Sequence, residues 1–211
     1  MRGRSSTCQL VGVSADSRVD KSTNVPAPGV SAPASLRSER LWLRPIGSAE
    51  REALHRLWTE PAVRRFLWDD REIDLATVDG VIERSAASFA AEGFGHFALR
   101  EREAGPLLGT CGLYRAAPGA EPELLYSLAT AQLGRGYASE AARAVLAHAF
   151  GPLGLARVIA RADAPNLASI RVMERLGMRF EGEALEGGLR LVRYGLEREA
   201  WLAAGGAEPS R

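Results

Sequence analysis

The segment Leu133-Gly134-Arg135-Gly136-Tyr137-Ala138-Ser139 limits what this chain can fold into more than any other. The run Leu124 to Leu128 before it reads as a strand. The run Tyr137 to Phe150 after it reads as an amphipathic helix, apolar at Ala138, Ala141, Ala142, Val145, Ala149 and Phe150. Two glycines one residue apart let the backbone turn sharply between these elements and leave its N–H groups unshielded by a Cβ. The helix aims the positive end of its dipole and its unpaired amides at the same point. Strand, glycine turn and helix in that order build an anion site suited to a phosphate or pyrophosphate.

Two common phosphate loops do not fit. A G-x-G-x-x-G loop lacks its third glycine, because Ala138 and Ser139 lead to Glu140. The next strand runs into Arg161-Ala162-Asp163-Ala164-Pro165-Asn166, without an acidic residue at ribose-binding spacing. A P-loop needs G-K-S/T, and the only lysine is Lys21.

A net charge of +1 excludes the strong basic field expected of a nucleic-acid binder, so no nucleic-acid partner is expected. No apolar run approaches membrane length, so no membrane partner is expected either. The cysteines, Cys8 and Cys111, are too few and too far apart for a disulfide framework or a metal site. His55, His96 and His148 are scattered, so no metal is expected. The N-terminus lacks an apolar signal core, and the expected location is the cytoplasm.

Residues 1–36 are rich in Ser, Val, Pro and Gly, with Pro26, Pro28 and Pro33 breaking any regular element. They are expected to be a disordered tail, followed by one domain over residues 37–204 and a short tail over 205–211. The domain opens with Ser38 to Pro45, where Leu41 and Leu43 alternate with Arg40, Trp42 and Arg44 as in a half-buried strand. Ser48 is placed to cap a helix with Leu54, Leu57 and Trp58 on its apolar side. Pro61 suits the first turn of a second helix, and Leu75 to Ala91 reads as a third, ended by Gly93. Three strands follow at short spacing, Phe94 to Arg100, Leu107 to Tyr114 and Glu123 to Leu128, implying an antiparallel meander. Arg157 to Ala162 lies one helix crossover later and should run parallel to Glu123–Leu128. Pro165-Asn166 starts a helix ended by Gly177. Phe180 lies on a short strand, and Leu189 to Leu196 is the last strand. The order β-α-α-α-β-β-β-α-β-α-β-β is that of an α+β fold with a mixed sheet.

Gly134-Arg135-Gly136-Tyr137-Ala138-Ser139-Glu140-Ala141 resembles the acyl-CoA loop of the GNAT N-acetyltransferase superfamily. The segment from Asn166 to Gly177 is similar to that family's second signature. Glu39 to Pro45 is similar to the opening strand of its RimJ/RimL-like branch, the ribosomal-protein N-acetyltransferase-like enzymes. The resemblance implies the GNAT fold: a mixed, mostly antiparallel sheet with helices on both faces and a splayed parallel strand pair. It implies acetyl-CoA as cofactor, its pantetheine between the strands Glu123–Leu128 and Arg157–Ala162. Leu128, Gly134, Arg135, Gly136, Tyr137, Ala138, Ser139 and Asn166 would hold it. The chain departs from the family at Leu133, where much of the superfamily has Gln or Arg. It departs again at Leu125, which replaces a glycine common in the branch.

The implied activity is acetyl transfer to a primary amine, either a protein N-terminal α-amine or a small-molecule amine, by a monomer or homodimer. The alternative is an acyl-CoA-binding module without turnover. By the resemblance Glu123 would draw a proton from the amine through water; its alternative is a solvated carboxylate at a strand edge. Amides near Leu128 would hold the thioester carbonyl. Ser169 would protonate the leaving thiolate, and Asn166 would cap its helix and bond the pantetheine; otherwise both are ordinary helix-start residues. Tyr126 and Tyr194 are further candidates for that proton, with packing as the alternative; His96 and Trp68 either line the acceptor cleft or take a core or surface place. Few acidic residues map to the cleft, so the sequence makes no case for a polyamine acceptor.

Overall fold

The computed structural model describes residues 35–206. The expected N-terminal tail lies outside the described residues except for Ser35 and Leu36, and of the C-terminal tail only Gly205 and Gly206 are described. Leu36 is already paired with Leu43.

The described strands form one eight-stranded sheet. In chain order they are β1 (Leu36–Arg37), β2 (Trp42–Pro45), β3 (His96–Arg100), β4 (Gly109–Tyr114), β5 (Glu123–Leu128), β6 (Arg157–Asp163), β7 (Arg179–Glu186) and β8 (Leu189–Glu197). Spatial order follows chain order except that β8 lies between β6 and β7. Every pairing is antiparallel except β5 with β6, the two strands joined by a helical crossover.

Helices cover both faces of the middle of the sheet. On one face lies α4 (Tyr137–Phe150), whose Ala141, Ala142, Val145, Leu146 and Phe150 are buried against Cys111, Leu113, Leu124, Val158 and Ala160. The helix after β6, α5 (Leu167–Arg175), adds Met173 to that core. On the other face α1 (Arg51–Thr59), α2 (Pro61–Leu67) and α3 (Leu75–Glu92) bury Leu54, Trp58, Leu67, Val78 and Val81 against Ala98 and Leu125. Coverage on both sides explains why β3, β4 and β5 are buried nearly throughout instead of alternating between core and solvent. The same face of β6, β8 and β7 carries no helix from α1 to α3, and β7 is exposed along almost its whole length.

Local chemistry sets the helix ends. Asp74 caps α3 by accepting from the Thr77 amide at 2.8 Å, and Gly93 ends it in the left-handed conformation at φ 77°. Asn166 caps α5 through the Ser169 amide at 3.2 Å. Before α1 the expectation fails. Gly47, not Ser48, is the capping position, because the Glu50 carboxylate reaches back to the Gly47 amide at 3.0 Å and holds Ser48–Glu50 as a 3-10 turn. Phe180 belongs to an eight-residue strand and not a short one. A final helix, α6 (Arg198–Ala203), which the pattern did not mark, docks Trp201 on Phe150 at 5.9 Å between ring centroids.

Candidate active site

β5 and β6 are paired only at Glu123 and Ile159. From there towards Leu128 and Asp163 the two strands separate, and a split opens through the sheet. Alternation decides what β5 presents to it. The Pro122 carbonyl accepts from Ile159 on the β6 side, and the Ala129 amide donates to Leu108 on the β4 side. The even-numbered residues of β5 therefore turn their peptide groups towards β6, so the Tyr126 and Leu128 amides line the split. Leu128 ends β5, beyond the one position paired with β6.

At the open end of the split stands the N-terminus of α4. Gly134 and Gly136 have φ of 76° and 83°, the left-handed region that side-chain-bearing residues avoid. No side chain caps this helix, and its first backbone bond is Glu140 to Gly136 at 3.1 Å. The amides of Tyr137, Ala138 and Ser139 are therefore left open. Ser139 Oγ is buried with no hydrogen-bond partner. A helix of fourteen residues without a side-chain cap, with an unpartnered hydroxyl in its first turn, presents donors suited to an anion.

Cations surround the same point. Arg135 bonds Gln132 at 2.6 Å and Glu101 at 3.2 Å, and its guanidinium lies 4.7 Å from the Tyr137 ring. Arg40 also lies 4.7 Å from that ring and donates to the Arg135 carbonyl at 3.2 Å. Tyr137 donates its hydroxyl proton to Glu101. Glu140 locks the opening segment onto the helix, accepting from the Arg40 amide and from Ser38 Oγ, each at 2.7 Å. Sequence reasoning missed Arg40 and Glu140 as parts of this site. The spacing Ser38–Arg40 against Glu140 carries no local signal, because the contact spans a hundred residues.

Across the split Tyr126, on β5, meets Ser169, in the first turn of α5. The two hydroxyls are 2.8 Å apart, and the Tyr126 hydroxyl also reaches the Ser169 carbonyl at 3.0 Å. Burial pushes the Tyr126 pKa up, with the Ser169 bond partly opposing it, so this hydroxyl keeps its proton at neutral pH. Tyr126 thus combines packing with hydrogen bonds to the start of α5. Asn166 is half-buried, and its Oδ1 is used by the cap.

Glu123 sits at the closed end of the split and is 2% exposed, so it is not a solvated strand-edge carboxylate. Its Oε2 accepts from Tyr114 at 3.0 Å and from Arg161 Nε and Nη2 at 3.0 and 2.9 Å. Its Oε1 is buried and has no partner. Burial opposes the charge on Arg161, but Glu123 outweighs burial and the Arg161 pKa is held above its ordinary value. Burial also pushes Tyr114 up, and Glu123 adds to the shift. His96 stacks on Tyr114 at 6.4 Å, and Trp58 donates to Ser127 at 3.3 Å beside Trp68. These three are buried, which is the core alternative for His96 and Trp68.

An open sheet split by one diverging parallel pair, with an uncapped helix at its mouth, is the fold of an acetyltransferase. Residues 40–179 match the acetyltransferase (GNAT) domain model, and the chain belongs to that family. It is 27% identical over 150 residues to the uncharacterized N-acetyltransferase p20 of Bacillus licheniformis, covering 70% of this chain and 84% of that one. An acetyltransferase structure from Agrobacterium tumefaciens superposes with a TM-score of 0.66 at 27% identity, covering 84% of this chain and 99% of that one. RimL, a ribosomal L7/L12 alpha-N-protein acetyltransferase solved with coenzyme A, shares the fold with a TM-score of 0.68 at 17% identity, covering 79% and 99%. The chain is an enzyme of the GNAT N-acetyltransferase family.

Proposed function

We propose that this enzyme transfers the acetyl group of acetyl-CoA to a primary amine, a protein N-terminal α-amine or a small-molecule amine. The observation that carries the reading is the uncapped N-terminus of α4 at the mouth of the β5–β6 split. Three open amides, the orphaned Ser139 hydroxyl, and Arg40 and Arg135 match a diphosphate in charge and donor count. The amides of Tyr126 and Leu128 match the carbonyls and amides of an extended pantetheine. Bound acetyl-CoA supplies a thioester carbon as electrophile and a thiolate as leaving group.

The chain's own groups then have distinct tasks. The Leu128 amide holds the thioester oxygen where negative charge develops. The Tyr126 hydroxyl, hydrogen-bonded to Ser169, supplies the proton that a departing thiolate needs. This gives the expected role of Ser169 to a pair, with the strand tyrosine as donor and the helix serine as its orienting partner. Asn166 orders the α5 turn that presents Ser169. Glu123, with Oε1 free, accepts a proton through water.

Calorimetry tests the reading. Acetyl-CoA should bind with a Kd in the micromolar range. Gly136→Glu, which places a Cβ and a negative charge at a left-handed position in the cradle, should weaken binding at least tenfold, about 1.4 kcal/mol. Binding of acetyl-CoA to Gly136→Glu at the wild-type Kd would move the cofactor site elsewhere. Thiol release that depends on added amine distinguishes a transferase from a module that binds acyl-CoA without turnover.

A further inference from the structure

A cavity of about 250 Å³ lies where α3 crosses the start of β3 and the end of β4, and none of the roles above uses it. Its walls include Val81, Ser85 and Ser88 on the helix and His96, Leu113 and Tyr114 on the strands. Strand alternation sets what faces it. Ala98 packs among α1 to α3, and His96 stands two residues earlier on the same side of β3. Tyr114 packs against that core too, and its hydroxyl donates to Glu123 at 3.0 Å on the neighbouring strand. The His96 amide donates to Ser85 Oγ at 2.8 Å and ties strand to helix beside the cavity. The body of α4, which carries the anion cradle at its start, packs on the opposite face of the sheet.

Three polar groups that line this cavity have no partner. The His96 ring is 5% exposed and stacks on Tyr114, and neither of its nitrogens makes a hydrogen bond among the described residues. Ser88 Oγ is buried and also unpartnered. Arg84 makes no hydrogen bond or ion pair among the described residues. Its guanidinium lies along α3 over Gly80, held by no carboxylate and able to turn to a ligand. Buried polar groups are normally satisfied, so three unmet groups around one cavity point to a missing partner.

The lining also states what that partner is. The second arginine, Arg115, is taken, since it donates to the Glu92 carboxylate and the Ala120 carbonyl. Glu92 cancels its charge and leaves one free cation, Arg84. His96 adds no charge at neutral pH, because burial, with Arg84 adding to it, lowers its pKa to about 4. It offers one donor and one acceptor instead. Val81, Ala87, Leu113 and Ala116 make the rest of the wall apolar. A guanidinium fork meets a carboxylate with two parallel bonds, whereas a phosphate dianion would keep a charge unmatched.

We propose that this cavity is a second binding site, which takes a monocarboxylate with an apolar body, its head on Arg84 and Ser88 and its edge on His96. A free acid carries that chemistry. So does an acceptor whose amine lies towards the split, because Tyr114 joins the cavity wall to Glu123.

The test uses the full chain. Benzoate and butyrate are the probes, benzamide and butyramide their neutral counterparts, and inorganic phosphate the dianion. One of the two acids should raise the melting temperature and bind by calorimetry with a Kd of about 1 mM or tighter. Its amide should bind at least tenfold more weakly, and phosphate more weakly than the acid. The chain has three histidines, so the ring signal of His96 is assigned in NMR spectra by its loss in His96→Gln. The bound acid should shift that signal and leave that of His55 in place. Ser88→Ala should weaken the acid about threefold to tenfold, the loss of one hydrogen bond to a charged group. Arg84→Gln should weaken it at least tenfold. Arg84 makes no bond that the fold needs, so this variant should keep the wild-type melting temperature without ligand and the wild-type acetyl-CoA Kd. With the acid bound, a raised KM for an acetylated amine at constant kcat assigns the site to the acceptor's own carboxylate, and an unchanged KM assigns it to a free acid. No binding of either acid to a protein that binds acetyl-CoA, an amide that binds as tightly, phosphate that binds more tightly, undiminished binding in Arg84→Gln, or an unmoved His96 signal would overturn the proposal.

Discussion

Single residues decide how charge is handled inside the split. Glu123 is buried, but Arg161 is partly exposed and also pairs with Glu186 at 3.2 Å, so removing the Glu123 charge costs about 1–3 kcal/mol, the loss of charge-assisted hydrogen bonds. Glu123→Gln should therefore lower both stability and turnover, and turnover alone would not separate the two causes. Glu123→Gln with Arg161→Gln removes both charges and should recover most of the lost stability, as read by denaturant midpoint. Turnover that stays low in the double variant assigns Glu123 to the chemistry; turnover that returns with stability assigns it to the scaffold. Residue by residue, the anion cradle was legible in the sequence because the positive φ, the open amides and the small side chains all lie within Gly134–Ser139. The meeting of Tyr126 with Ser169 was not legible. They are forty-three positions apart, and a tyrosine on a strand or a serine at a helix start is ordinary until the fold brings them together.

At the scale of elements, the meander β3–β4–β5 packs more tightly than strand propensity suggests. A Cβ on Gly112 would lie 2.1 Å from the Gly95 carbonyl oxygen and 2.6 Å from the His96 Cα, both backbone atoms that cannot rotate away. Gly112→Ala should cost about 1–3 kcal/mol by overpacking. That lowers the melting temperature by several degrees, at about 2–4 °C per kcal/mol for a chain of this size. Gly80→Ala is the contrast. It lies inside α3, and its Cβ would meet only the flexible end of Arg84 at 3.3 Å, so the melting temperature should rise by helix propensity of about 1 kcal/mol. Equal effects at the two positions would refute the packing argument. Most elements could be placed from sequence, and β5 and α4 to the residue, since apolar period and glycine stops are local signals. The cap before α1 was misplaced, because Ser48 is the stronger capping residue in isolation while Glu50 supplies the bond from inside the turn. α6 went unmarked because it is six residues long and its anchor, Trp201, is defined by Phe150.

For the whole molecule, pH tests the second core. His96 is 5% exposed, and burial, with the nearby Arg84 charge adding to it, holds its pKa down from 6.5 to about 4. The unfolded chain therefore takes up a proton near pH 6.5 that the folded chain refuses until about pH 4. Stability is full above pH 6.5 and is lost as the pH falls through that window, by about 2 kcal/mol at pH 5. His148 is shifted in the same direction by burial, against the Gly93 carbonyl bond, and adds to the loss. His96→Gln should narrow the gap in melting temperature between pH 7.5 and pH 5 by several degrees. An unchanged gap would mean that His96 titrates normally in the folded state.

By itself the sequence determined that a strand, an exposed-amide turn and a helix would follow one another, because φ preference, side-chain size and hydrophobic period act within a few residues. Only the tertiary structure decided where that turn would open. The single paired position between β5 and β6 and the meeting of Tyr126 with Ser169 depend on which distant segments the fold brings together. Charge and hydrogen-bond energies fall off over a few ångströms, so their effect follows from proximity in space and has no counterpart in spacing along the chain.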